Sequence, residues 1–473
     1  MEKKKKYLIG VAIGALLIAL AALTAIYCRV ASFYGNHFLP GTVINGFDCS
    51  KLQVSDIALM VRANSAKYVL EIMGRDPKTC EGGTTLLQIT ADEIGLKNVD
   101  LEKNLQEILE QQNRWLWIKA VFETQDPINK DFKITYDREQ LFDILRNNKA
   151  FQRKNMTTPE NAYIGEYDER ESAFAVVPDT KGSRLNTDKA RTCILEAIEN
   201  RETSVDLDEL DCYKSARITA DNKRLNGNLE KANLWLSTKI TYDWNENEVI
   251  LDREQLKDWI RIENDQPILD TDAVYEFVKE NASEYDTYGK KRKFVTTAGA
   301  ELTLSSGAYG WKTDRKAETE ELIALIYGGT VEEREPIYSM QAAQKGSNDI
   351  GNSYVEADLG HQHLYLYQDG EIVLESDFVS GNVSRGNTTP PGVFGITYKT
   401  TDAVLRGDNY ETPVKYWMPF NGNIGMHDAT WRASFGGDIY LTSGSHGCIN
   451  LPYSKAKEIY QYVSKGFPVI CYY

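Results

Sequence analysis

Two of the five histidines in this 473-residue chain converge on one cysteine. Seventeen residues separate His427 from the run Ser445-His446-Gly447-Cys448-Ile449-Asn450. A thiol becomes an effective nucleophile when a nearby imidazole takes its proton. The same imidazole can return that proton to a leaving amine. Gly447 removes side-chain bulk beside the sulfur, so a carbonyl and backbone N–H donors can approach closely. Together these residues make an acyl-transfer constellation. If 446–448 is extended, His446 and Cys448 project to one side; the residues alone do not choose between His427 and His446 as base. The plain alternative is a buried structural cysteine beside a surface histidine. That reading leaves the convergence of two scarce histidines unexplained. Zinc is a second alternative, but no cysteine pair or further carboxylate stands at ligand spacing, so no metal is expected.

The motif resembles the signature of the L,D-transpeptidase (YkuD-type) catalytic domain. Surrounding residues share the resemblance: Asp358-Leu359 with Leu364–Tyr367, Thr389-Pro390-Pro391-Gly392-Val393-Phe394, Tyr416–Phe420 and Gly425–Asp428. It spans roughly residues 353–473. It implies Cys448 as nucleophile and His427 as base. His446 then shapes the pocket or binds substrate, and Ser445 orients the base through its hydroxyl or carbonyl. The N–H groups of Gly447 and Cys448 become oxyanion donors, helped by Tyr416. Trp417, Met426, Trp431 and Asn450 become walls or substrate contacts, with core packing the alternative for the two tryptophans. His361 and His363 are bystanders. The implied reaction joins peptidoglycan stem peptides by 3→3 cross-links with release of D-Ala. It needs no cofactor and is open to covalent inhibition by carbapenem-type β-lactams. Trimming of tetrapeptides (an L,D-carboxypeptidase) and a non-catalytic wall-binding scaffold are the alternatives.

The elements that must position these residues are β-rich. From Ser353 onward, Tyr354–Leu359 and His363–Tyr367 alternate apolar and polar residues. Gln368-Asp369-Gly370 turns the chain into Glu371–Leu374. Further strands are expected at Val393–Thr397 and Pro468–Tyr473, with one helix over 454–463. Before this domain, Gln341–Asn352 is polar, contains Gly346 and Gly351, and reads as a linker that few contacts cross.

Upstream, the chain repeats itself. Ile134–Asp137 recurs as Ile240–Asp243, and Asp137–Leu141 as Asp252–Leu256. Gly182 with Thr187–Ala190 resembles Gly310 with Thr313–Ala317. Two copies of one mixed α/β domain are the economical reading. The Asp-Arg-Glu-Gln-Leu segments predict helix starts, and Thr187 and Thr313 are candidate N-caps. Residues 40–60 predict a strand, a turn and a helix. The repeats resemble peptidoglycan-binding domains.

At the amino terminus, four lysines (3–6) precede an uncharged run from Tyr7 to Cys28. As a helix, Tyr7–Tyr27 spans about 31 Å, enough to cross a bilayer. The lysines then lie in the cytoplasm and the rest outside. A cleaved signal peptide competes, but its apolar region usually runs ~7–15 residues. Lipidation at Cys28 would need a small preceding residue where bulky Tyr27 stands.

The predicted organisation is thus a multidomain α+β chain. Residues 1–6 form a cytoplasmic tail and 7–28 a transmembrane helix. Residues 40–220 hold the first repeat and 221–340 the second. Residues 341–352 link them to a mainly-β catalytic domain at 353–473, placed outside the cell membrane and facing the wall. Composition agrees with a folded chain: 42% hydrophobic and 26% charged. A net charge of −15 offers no basic stripe for nucleic acid. Outside the membrane, Cys49, Cys80, Cys193, Cys212 and Cys471 are open to disulfide pairing, and sequence does not choose partners.

Overall fold

The structure is a computed structural model that describes residues 1–305, 307–407 and 410–473. The chain forms two units, residues 1–162 with 178–220, and residues 163–177 with 221–473.

The first unit begins with helix α1 (Glu2–Phe33), long and apolar enough to cross a bilayer by length and composition. Its C-terminal end is built into the unit. Ala31, Tyr34 and Phe38 are buried. The expected turn and helix follow as a hairpin (Val43–Ile44 with Phe47–Asp48) and a helix over Val54–Ser65. A short helix α2 (Trp117–Phe122) packs near the end of α1. Strand Val69–Gly74 is central to a three-stranded sheet, antiparallel to Thr84–Thr90 and parallel to Ser204–Asp206. Helices Arg138–Asn147 and Thr187–Glu199 cover it with Leu141, Leu145, Ile194 and Ile198. Asp137 caps the first of these, accepting from the Gln140 N–H. The cap of the second is Asn186, not Thr187: its side chain accepts from Lys189 N–H. The Cys193 and Cys212 sulfurs lie 3.6 Å apart.

In the second unit, strand Lys239–Trp244 is central to another three-stranded sheet, antiparallel to Asn247–Leu251 and parallel to Val331–Arg334. Order and sense match those of the first sheet. The short identities seen in sequence, however, fall at different places. Ile134–Thr135 is a two-residue strand leading into a helix, whereas Ile240–Asp243 lies in the central strand. Asp314, not Thr313, caps Arg315–Gly328. Thr313 instead gives its N–H and hydroxyl to Asp286. The segment 163–177, expected within the first repeat's 40–220, belongs to this unit. The Phe174 N–H donates to Asn233 Oδ1 and the Ile164 N–H to Asp265 Oδ1.

The C-terminal domain is β-rich and holds two sheets. The first contains β1 (Tyr354–Asp358), β2 (His363–Gln368), β3 (Glu371–Asp377), β4 (Gly392–Gly395) and β9 (Pro468–Tyr472), in order β3-β2-β1-β9-β4. The second contains β5 (Thr400–Gly407), β6 (Tyr410–Asn421), β7 (Ile424–Asp428) and β8 (Ile449–Leu451), in that order. Helix α4 (Tyr453–Tyr462) packs against the second sheet with Ala456 and Ile459 buried. A short helix α3 (Ile439–Ser443) makes a second helix where one was expected. Its five residues carry no apolar period, so nothing marked it. Val355, Leu364, Leu366, Phe394, Met418, Met426, Ile449 and Val469 fill the space between the sheets.

Residues 341–352 are not a free tether. Asp349 is buried and ion-paired with Arg292, Nη2 to Oδ2 at 2.6 Å, and accepts from the Thr287 hydroxyl at 2.5 Å. Tyr309 donates its hydroxyl to the Asp349 carbonyl at 2.9 Å. Phe294, Leu304, Tyr309 and Ile350 form one buried cluster with Val393, Ile470 and Tyr472 of β4 and β9. Thr297 binds Glu356 of β1 through both N–H and hydroxyl. Gly307 stands at φ +119 where a Cβ would collide with the Val393 carbonyl, so glycine is required for the approach. The expectation of few crossing contacts therefore fails. Asp349 and Ile350 are short-range features of a polar segment, and their partners are distant in sequence.

Candidate active site

The second sheet of the C-terminal domain brings the cysteine and one histidine together. β7 and β8 run parallel, with Met426 opposite Ile449 and His427 opposite Asn450. Cys448 immediately precedes β8, at the 423–425 end of β7, and its Sγ lies 3.6 Å from the Asn423 carbonyl. β6 completes the site from the other side: Trp417 pairs with His427 across the ladder, their rings 5.9 Å apart. Trp417 also packs with Cys448 and Val414. Trp431, 51% exposed, stands 5.9 Å from the His427 ring and walls the open side.

Val414 and Trp417 are three residues apart yet reach one cluster, which straight alternation forbids. The reason is an irregularity in the β5–β6 pair. Asp402 adopts φ +55, and the successive N–H groups of Lys415 and Tyr416 both donate to the buried Asp428 Oδ1, at 2.8 and 2.7 Å. Asp428 thereby fixes the strand that aims Trp417. Its carbonyl also orients the histidine: His427 Nδ1 lies 2.8 Å from Asp428 O. A carbonyl only accepts, so Nδ1 carries the proton and Nε2 keeps its lone pair. Asp428 is the positioning residue that sequence reasoning passed over. Its signal was an acid directly after the histidine in a strand that must be buried.

Burial sets the resting charges. It holds the His427 imidazole below its ordinary 6.5, opposed by the hydrogen bond that Nδ1–H donates to the Asp428 carbonyl and reinforced by nearby Arg432. It pushes the Cys448 thiol up to about 11, slightly offset by the Gly425 backbone. Burial thus favours the neutral form of each group.

The loop before Cys448 is held from several sides. The chain bends at 446–447, with Gly447 at φ +117, so the strand alternation expected to align His446 with Cys448 does not exist. His446 is exposed. The Ser445 hydroxyl donates to the Cys448 carbonyl at 2.6 Å and accepts from the Gly447 N–H at 3.0 Å. The Ser445 carbonyl accepts from the Asn382 N–H. Neither oxygen is bonded to His427; Ser445 clamps the loop that carries Cys448. Gly447 N–H is likewise committed to Ser445 and is not a ready oxyanion donor. Thr389, fully buried, donates its hydroxyl to the Gly447 carbonyl at 2.7 Å. Arg432 donates to the Ser443 carbonyl at 2.9 Å, bracing the end of α3.

Other expected contacts lie elsewhere. Met426 is fully buried between the sheets, since its neighbour His427 takes the opposite face. Tyr416 turns away from Trp417 toward α4, its ring 5.6 Å from Tyr453 and 5.3 Å from Tyr460. It is not placed as an oxyanion donor. Asn450 shares the His427 side and is 2% exposed, its Oδ1 buried and unpaired by protein. His361 and His363 pair with Asp358 and Asp377 on the first hairpin. Tyr309 and Trp311 of the preceding module bond to Asp349 and Gln344, far from this chemistry in the fold.

The domain is thus β-rich, with a thiol just before one strand and an oriented imidazole on the parallel strand beside it. The family comparisons are specific. The L,D-transpeptidase catalytic domain model (YkuD) matches residues 352–471, and the peptidoglycan binding domain model matches twice, at 87–206 and 218–332. The chain belongs to the L,D-transpeptidases, with peptidoglycan-binding sequence preceding the catalytic domain. A mutant L,D-transpeptidase of Enterococcus faecium is 36% identical; the match covers 52% of this chain and 99% of that one, with TM-score 0.42. The isolated catalytic domain of the E. faecium enzyme is 46% identical over 26% of this chain and 97% of that one, TM-score 0.24. The same domain acylated by ertapenem is 45% identical over 26% and 98%, TM-score 0.24. A search of the curated proteins found no match.

Proposed function

We propose that this chain is a cysteine-dependent L,D-transpeptidase in which Cys448 is the nucleophile and His427 the general base. The observation that carries the reading is the neutral His427, held by the Asp428 carbonyl with Nε2 available, on the strand beside Cys448. Cys448 Sγ attacks the carbonyl carbon of the third residue of a tetrapeptide stem while its proton passes to His427 Nε2. The carbon–nitrogen bond to D-Ala breaks, and the imidazolium returns the proton to the leaving amine. An amine of a neighbouring stem then attacks the thioester carbonyl and gives its proton to His427; the carbon–sulfur bond breaks, the imidazolium returns the proton to Cys448 Sγ, and a 3→3 cross-link is left with the thiol restored. The Cys448 N–H is the proposed oxyanion donor. Trp417 and Trp431 border the donor stem.

The sheets at 69–206 and 239–334 are proposed as two copies of one wall-binding module, matching the two family hits. α1 is proposed as an uncleaved anchor that keeps residues 31–473 on the wall side. β-Lactams are proposed covalent inhibitors; the E. faecium domain is acylated by ertapenem.

Muropeptide mass analysis with the purified chain tests the reaction. A tetrapeptide donor and an amine acceptor should yield a product joined through two third-position residues. Tripeptide alone would mean water is the acceptor and the enzyme an L,D-carboxypeptidase. No turnover, with Cys448 intact, would leave a wall-binding scaffold.

A further inference from the structure

The first unit displays apolar side chains that its own fold does not cover. A 3-10 turn at Arg114–Leu116 runs directly into α2. One side of this segment is core: Ala120 is buried and Trp117 packs with Val30, Tyr34 and Leu39. The other side carries Trp115, Leu116, Ile118, Val121 and Phe122, exposed at 46, 48, 44, 51 and 84%. Five large apolar residues within eight positions are more than a water-facing surface tolerates without a partner.

Its position says what the partner is. The segment lies along the outer third of α1. The Tyr27 ring is 6.0 Å from Trp115 and 5.9 Å from Trp117, and the Tyr27 hydroxyl donates to the Trp115 carbonyl. An apolar groove of about 400 Å³ between the two helices is lined by Leu20, Leu23, Ile26, Trp117 and Ile118. Tyr27 stands at the end of the uncharged run, just before Arg29. The patch therefore sits at the depth where a bilayer-spanning α1 leaves the hydrocarbon, and that is where Trp and Tyr collect. Arg114, over the Trp115 ring at 5.4 Å, and Lys119 supply cations at headgroup level.

We propose that residues 114–122 are an interfacial membrane element. Trp115, Leu116, Ile118, Val121 and Phe122 seat in the headgroup–acyl boundary of the outer leaflet, beside α1. The first unit is then held at two places on the lipid surface and does not swing from a single helix. This rests on the reading of α1 as a retained anchor.

The test uses the full chain in vesicles of phosphatidylcholine and phosphatidylglycerol, with and without acyl-chain bromination. Bromolipid should quench the tryptophan emission of the wild type. The double variant Trp115→Phe/Trp117→Phe should show at least about three-fold less quenching, because Trp115 is on the exposed side and an edge of Trp117 lines the groove against α1. Phe122→Asp, at a site too exposed to affect folding, should also weaken the quenching while acylation of Cys448 by a soluble β-lactam is unchanged. Equal quenching in wild type and double variant would overturn the proposal. So would concentration-dependent cross-linking of two chains through 114–122, which would make a second copy the partner. Intact mass separates loss of the anchor from loss of the interfacial element. A chain shortened at its amino terminus overturns the anchor itself, whereas a full-length chain without quenching overturns only the interfacial element.

Discussion

Neutral resting groups at Cys448 and His427 have measurable consequences. Cys448→Ala should abolish both cross-linking and β-lactam acylation; turnover by this variant would remove Cys448 as nucleophile. His427→Ala should slow acylation by ~10²–10⁴-fold, the usual effect of losing a general base. His446→Ala should act less on the acylation step, because its side chain is exposed; a dead His446→Ala beside an active His427→Ala would exchange the two roles. The pH profile follows from burial. His427 must be unprotonated to act, and burial holds its pKa below 6.5. Acylation by a non-titrating β-lactam should be level from pH 7 to 8 and fall only as pH drops through that lowered value. A rate still rising steeply between pH 7 and 8 would mean thiolate formation, not His427, is in control. Stability carries the same sign. The folded state holds His427 neutral below the pH at which the unfolded chain protonates it. Its contribution is therefore complete above about 6.5 and lost as pH falls toward the folded value.

The strands succeed as a scaffold because a few buried hydrogen bonds override their regular pattern. Asp428 Oδ1 takes two consecutive amides of β6, and without it two partly buried N–H groups lose their partner, at up to ~1–3 kcal/mol each. Asp428→Ala should therefore lower the melting temperature and slow acylation by misplacing Trp417. Asp428→Asn, which keeps the accepting oxygen, should recover most of both. An Asn variant as slow as Ala would show that the charge, not the hydrogen bonding, matters. At the next element, the Thr389 hydroxyl is spent on the Gly447 carbonyl. Thr389→Val keeps the shape, and its effect on acylation measures how far that one bond holds the nucleophile's loop.

Modules in this molecule share surfaces. The 292–304 hairpin and Tyr309 cover one face of the catalytic domain's first sheet. A chain of residues 345–473 should keep the rate of Cys448 acylation, since nothing before residue 345 lies among the site residues. It should nevertheless melt below a chain of residues 221–473 and bind apolar dyes, because it uncovers Val393, Ile470 and Tyr472. Unequal acylation rates in the two folded chains would place the second module in the active site after all. Protease added to wall-stripped intact cells should remove residues 31–473; their protection would reverse the orientation proposed for α1.

The chemistry of this enzyme was legible in the order of residues because it depends on types and local spacing. A cysteine behind glycine, with two of five histidines nearby, points to acyl transfer whatever the fold. Helix starts at Asp137 and Asp252, the alternation of β1 and β2 and the length of α1 are equally local. What the residues around Cys448 do was decided by contacts distant in sequence. Trp417 packs with the cysteine while Tyr416 turns to α4, on a stretch of β6 whose Lys415 and Tyr416 amides are both held by Asp428. Met426 is core because its strand is buried on both faces. Ser445 is a clamp because Gly447 turns the chain before the strand begins. Residues 341–352 read as a linker because polarity is visible in sequence, whereas the partners that bury Asp349, Arg292 and Tyr309 among them, are brought to it only by folding.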